Sequence, residues 1–68
     1  MLLIMRQERI KRKWTLKYVS EQTNLSPPAI HDIETGRRKP SYDVLVKLED
    51  LYKIPYRKLF AVADDIMD

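Results

Sequence analysis

The sequence predicts an all-α fold, a compact bundle of five short helices, and three observations carry that reading. No internal repeat, low-complexity tract or β-type alternation of apolar and polar residues runs through the chain. A single glycine among 68 residues points to helices joined by short turns. Start and stop signals then divide the chain into five segments.

A first helix is expected from about Leu3 to Lys13, with Met5, Arg9, Ile10 and Trp14 along one side and Arg6, Lys11, Arg12 and Lys13 mostly elsewhere. Its basic C-terminal turn suits the helix dipole. Thr15 is placed to cap a second helix, Leu16 to Thr23, which turns Val19 inward, with Ser20 as a small contact residue. Asn24 stands where a helix ends in a left-handed residue, a conformation Asn tolerates. After Leu25-Ser26, Pro27-Pro28 start a third helix, since a first turn has no use for the missing N–H; Ile30 and Ile33 point inward and Thr35-Gly36 stops it. A basic loop, Arg37-Arg38-Lys39-Pro40, leads to Ser41, the cap of a fourth helix from Tyr42 to Tyr52 whose buried stripe is Leu45, Leu48, Leu51 and Tyr52. Pro55 opens a fifth helix anchored by Leu59 and Phe60. Residues 1–5 read as a fraying helix start or a short strand, and the acidic tail 62–68 as frayed.

Composition bounds what such a chain does. With 44% apolar and 34% charged residues it is globular rather than disordered, and its length supports one core, so residues 1–68 form a single domain. No cysteine is present, which excludes disulfides and thiolate metal sites, and His31 alone cannot build a zinc centre. The apolar run Met1 to Met5 is too short for a signal peptide or a membrane span, so a cytoplasmic protein is expected. No catalytic Ser/His/Asp or Cys/His set, glycine-rich phosphate loop or carboxylate cluster occurs; no enzyme, cofactor, metal or small-molecule ligand domain is expected. Charge is uneven: residues 1–40 hold nine Lys/Arg against four Asp/Glu, a balance of +5, whereas residues 41–68 hold four against six, a balance of −2. The N-terminal part is thus the one suited to a polyanion.

From Thr15 to Gly36 the order is cap, small residue, left-handed turn residue, apolar residue, cap, two inward isoleucines and stop, which is the shape of a helix-turn-helix over about 15–35. A small residue at Ser20 lets the third helix cross close to the second, while Ile30 and Ile33 fix its roll and leave Pro28, His31, Asp32 and Thr35 facing outward. The aromatics Trp14, Tyr42, Tyr52, Tyr56 and Phe60 read as core and interface rings rather than base-stacking platforms.

From about Arg9 through Phe60 the chain resembles the Cro/phage-repressor (Xre-like) helix-turn-helix proteins, whose fold is lambda-repressor-like. The resemblance rests on Trp14-Thr15, Leu25-Ser26, the segment IHDIETG from Ile30 to Gly36, Lys39-Pro40-Ser41, the Leu-rich fourth helix and Ile54 to Phe60. It implies that Pro27, Pro28, His31 and Asp32 lie at or near base edges in the major groove. Thr15, Leu16, Lys17, Thr35, Arg37 and Lys39 fall near phosphates, and Arg9 pairs with Glu34 as scaffolding. Two departures stand out: Leu16 replaces a frequent Gln, and Pro27-Pro28 replace residues such as Arg, Gln, Ser or Thr that read bases by hydrogen bonds. Affinity is therefore expected from Lys17, Arg37, Arg38 and Lys39 through counterion release, and readout from His31, Asp32 and DNA shape.

The function expected is a transcriptional regulator of double-stranded DNA, a repressor occupying a palindromic operator as a homodimer. The dimer interface is placed around Tyr52, Tyr56, Phe60 and Val62, with further apolar surface from Ile66 and Met1 to Ile4. The competing reading, kept open by Pro27-Pro28, is an antitoxin or adaptor whose main partner is another protein.

Overall fold

A computed structural model describes residues 2–63, and among these the chain forms α1 (Ile4–Lys11), α2 (Leu16–Thr23), α3 (Pro27–Glu34), α4 (Tyr42–Tyr52) and α5 (Tyr56–Leu59). The all-helical fold expected from the sequence is the one found.

Side-chain caps set the three central helices. The Thr15 Oγ1 accepts from the Tyr18 N–H at 2.9 Å, Ser26 Oγ from Ala29 at 3.3 Å and Ser41 Oγ from Val44 at 3.5 Å. Asn24 ends α2 in the left-handed region, φ 61° and ψ 30°, its N–H bonded to the Ser20 carbonyl. Ser20 does more than stay small: its hydroxyl donates to the Leu25 carbonyl while the Leu25 N–H returns to the Ser20 carbonyl at 3.2 Å. The turn is thereby stitched to the helix it leaves. Two lysines, Lys13 and Lys53, also take φ 60° after α1 and α4, without the local side-chain reason that Asn24 has.

The core joins all five helices through Leu3, Met5, Val19, Ile30, Ile33, Leu48, Tyr52 and Leu59. Trp14, Leu16, Leu25, Val44, Leu51, Ile54 and Phe60 pack around it. Ile10, expected on the inner side of α1, is 47% exposed. Five residues after buried Met5 it is rotated by roughly 140° from it, whereas Arg9 is rotated by only about 40°. In α4 it is Val44 rather than Leu45 that joins the packing, giving an i, i+4, i+7, i+8 stripe with Leu48, Leu51 and Tyr52.

The chain ends depart most from expectation. Residues 2–4 form neither a frayed turn nor a strand of a sheet: Leu3 makes an isolated antiparallel bridge with Val62. The Ile4 N–H bonds Ala61 O at 2.9 Å, the Ala63 N–H bonds Leu2 O at 2.8 Å, and the Leu3 N–H bonds Glu34 O at 3.0 Å. Leu3 makes no side-chain cap, and the amides of Leu3 and of Ile4, the first residue of α1, are satisfied by backbone carbonyls from remote segments, one of them an orphan carbonyl at the end of α3. Val62 and Ala63, expected to fray, are thus held; the rest of the acidic tail, with Ile66, and Met1 lie outside the described residues.

Two charged contacts tie the helices together. The Arg9 guanidinium grips Glu34, Nε to Oε2 at 2.7 Å and Nη2 to Oε1 at 3.3 Å, and donates from Nη1 to the Trp14 carbonyl at 2.9 Å. Glu34 is 1% exposed, so its charge is matched inside the molecule by a forked donor. Arg12 ends α1: it pairs with the Glu8 carboxylate, reaches the Tyr52 carbonyl at 3.0 Å and lies 5.4 Å from the ring centres of both Trp14 and Tyr52. The Arg12 hydrogen bond is the main cause that holds the Glu8 carboxyl below its usual range.

Tyr52 is 1% exposed, its edge against Trp14 with ring centres 5.1 Å apart, and its hydroxyl has no hydrogen-bond partner among the described residues. Burial, and after it the Glu34 charge, push the phenol well above its ordinary range. An unpartnered buried hydroxyl carries a desolvation penalty and gives nothing back. Tyr52→Phe is therefore expected to keep or raise stability, by up to about 1–2 kcal/mol in urea unfolding. A loss of similar size would show the hydroxyl bonded in solution.

Candidate nucleic-acid interface

The inner face of α3 is Ala29, Ile30, Ile33 and Glu34, all buried against the rest of the domain. With that face occupied, Pro27, Pro28, His31 and Asp32 are left outside. Residues four apart on a helix stand one above the other, so Pro27 and His31 form one row and Pro28 and Asp32 the next. Both prolines are exposed, and the His31 and Asp32 side chains are 56% and 43% exposed. His31 Nδ1 and Asp32 Oδ1 lie 3.9 Å apart.

The basic loop is fixed to the end of this helix. Gly36 reverses the chain at φ 79°, a conformation that Gly adopts without the steric cost of a Cβ, and its N–H bonds Ile33 O at 3.1 Å. The Arg37 and Arg38 amides then both return to Asp32 O, at 2.9 and 3.2 Å. Their backbones are tied down while the side chains of Arg37, Arg38 and Lys39 project into solvent, with no ion pair to any of the three among the described residues. Unneutralised cations held beside the outer face of a helix are what a phosphate backbone needs.

At the start of α2, Thr15 is exposed and its Oγ1 accepts from Tyr18, which leaves its proton able to donate outward. Lys17 is exposed beside it. Leu16 contributes no polar side chain and packs on the core, so only its amide, at the first helical position, could serve an anion.

Two residues proposed from the sequence are placed otherwise. Thr35 is half-buried, its hydroxyl directed at the His31 and Asp32 carbonyls at 3.1 and 3.2 Å, and its N–H bonds His31 O at 3.0 Å. It has no donor left for a phosphate. Tyr52 cannot line a dimer interface, because its ring lies in the core of the monomer. Its place in the amphipathic stripe of α4 decided this: a buried stripe looks the same whether it meets its own core or a second chain. Tyr56 and Val62 are 48% and 56% exposed, and Phe60 is half-buried against the core.

Sequence reasoning passed over Arg12 as one more basic residue, though Glu8 four residues earlier was a legible sign of its pairing. It also missed Glu49, whose Oε2 accepts from the Tyr56 N–H at 2.7 Å and so caps α5 from the preceding helix.

Among the described residues no helix is long and apolar enough to cross a membrane, and no group of three or more His, Asp or Glu is placed to hold a metal ion. A helix-turn-helix family model matches residues 5–59. No curated protein and no solved structure matches the chain.

Proposed function

Because the chain belongs to the Cro/C1-type, Xre-like helix-turn-helix family, a family of DNA-binding regulatory domains, we propose that it is a sequence-specific repressor. It occupies a palindromic operator in double-stranded DNA as a homodimer. The observation that carries this reading is the pinned basic loop, Arg37 to Lys39, beside the outward face of α3. The loop and Lys17 hold phosphates on either side of the groove, Thr15 and the Leu16 amide add neutral donors, and α3 enters the major groove with Pro27, Pro28, His31 and Asp32 toward the bases.

One such helix reads few base pairs, so two copies on half-sites about 34–36 Å apart supply the specificity. The exposed Tyr56 and Val62 and the half-buried Phe60 favour pairing through α5 and the segment after it.

Selection of bound sequences from random duplex DNA at two salt concentrations tests the reading. A two-fold symmetric site, with a dimer on it in sedimentation velocity, is the expected result. No enriched site at either salt would overturn it and direct the search to a protein partner. A strict monomer at high concentration, with and without DNA, would remove the dimer alone.

A further inference from the structure

The first turn of α3 is unusual in what it lacks. Its first two helical positions are prolines without N–H groups; the Ala29 amide is engaged by Ser26 Oγ at 3.3 Å and the Ile30 amide by Ser26 O at 3.1 Å. No amide is left to donate, and apart from the Ser26 hydroxyl the turn presents two exposed pyrrolidine rings. Hydrogen-bonding side chains begin only one turn further on, at His31 and Asp32.

Resting on the DNA-binding reading, we infer that this turn reads the C5-methyl group of pyrimidines, in thymine or in C5-methylated cytosine. The first turn of a recognition helix is the part that meets base edges. The methyl at C5 is the one apolar group a base edge offers in the major groove, and it is the partner that ring methylenes match. A donor or acceptor set against them would lose its water and gain nothing. Proline also loses no rotamer freedom on contact, whereas the long polar side chains common at this place must give up much of theirs. The Asp32 carboxylate, one turn above Pro28, accepts from an exposed amino group such as that of cytosine, which sets a polar step beside the apolar one.

The test takes the selected operator and replaces each thymine singly by deoxyuridine, which deletes only the methyl. The parent chain is expected to bind three- to fivefold more weakly at one or two positions per half-site. Cytosine at those positions should bind weakly, and 5-methylcytosine should regain part of the loss. The same series is run on the chain carrying Pro27→Ser and Pro28→Ser, whose helix start retains the Ser26 cap and whose fold is checked by circular dichroism. In that variant the uracil penalty should fall below about twofold at the same positions, the signature of a direct coupling. Specific binding that tolerates uracil everywhere, or a penalty unchanged in the variant, overturns the inference and leaves the DNA reading standing. Absence of any selected site overturns both.

Discussion

Glu34→Ala is expected to cost about 3–5 kcal/mol, the effect of leaving one member of a buried ion pair alone. Glu34 is 1% exposed and Arg9 13%, and the guanidinium would retain only the Trp14 carbonyl of the partners it now has. A core of this size supplies roughly 3–5 kcal/mol in all, so the variant should be largely unfolded at room temperature. Glu34→Gln separates charge from volume: it keeps the packing and one acceptor oxygen, and a loss nearly as large would assign the cost to the unpaired guanidinium. The double change Arg9→Met with Glu34→Leu should regain most of the parent's stability, since apolar residues of similar volume replace buried pairs at little cost. Urea unfolding of the four chains decides the matter. A loss under about 1 kcal/mol in both single variants would mean the pair is solvated in solution.

The second large effect falls on binding. Replacing Arg37, Arg38 and Lys39 together by alanine is expected to weaken DNA affinity on the order of a hundredfold near physiological salt, with little change in which sequences are preferred. Each phosphate contact contributes about 0.9 to the slope of log affinity against log salt, so the slope should become shallower by about 2–3. Stability should move little, because the exposed side chains make no ion pair among the described residues and the backbone bonds to Asp32 O survive the change. Fluorescence anisotropy over a salt series gives both quantities. An unchanged slope would show that the loop does not meet phosphates.

The middle of the chain was legible because its signals are local. Thr15, Ser26 and Ser41 each cap the helix that follows, Asn24 and Gly36 mark the two reversals, and the bounds of α2 and α4 follow from them. The outward set on α3 followed from Ile30 and Ile33 pointing inward. What escaped depends on contacts between distant segments. No residue of Leu2-Leu3-Ile4 announces pairing with Ala61 to Ala63, because backbone amides have no side-chain signature. Periodicity put Tyr52 in the buried stripe of α4, where it lies; its second placement, at a dimer interface, came from counting apolar residues near α5, which does not tell core from surface. Thr35 was placed near a phosphate by the resemblance, and only the folded helix end shows its hydroxyl turned back onto α3. Lysines at φ 60° after α1 and α4 carry no signal at all, since nothing in a lysine side chain favours the left-handed region.

The carbonyl at the end of α3 receives the Leu3 amide while the side chain of the same residue, Glu34, is gripped by Arg9. Helix α3 is therefore held from the far end of the chain by backbone and side chain at one residue, and by Ile30 and Ile33 along its length. On the proposed DNA reading, a helix so held needs no ordering when it meets its target. Calorimetry of the association should then show a heat-capacity change no larger than the contact area itself explains, without the added increment that accompanies a segment ordering as it binds.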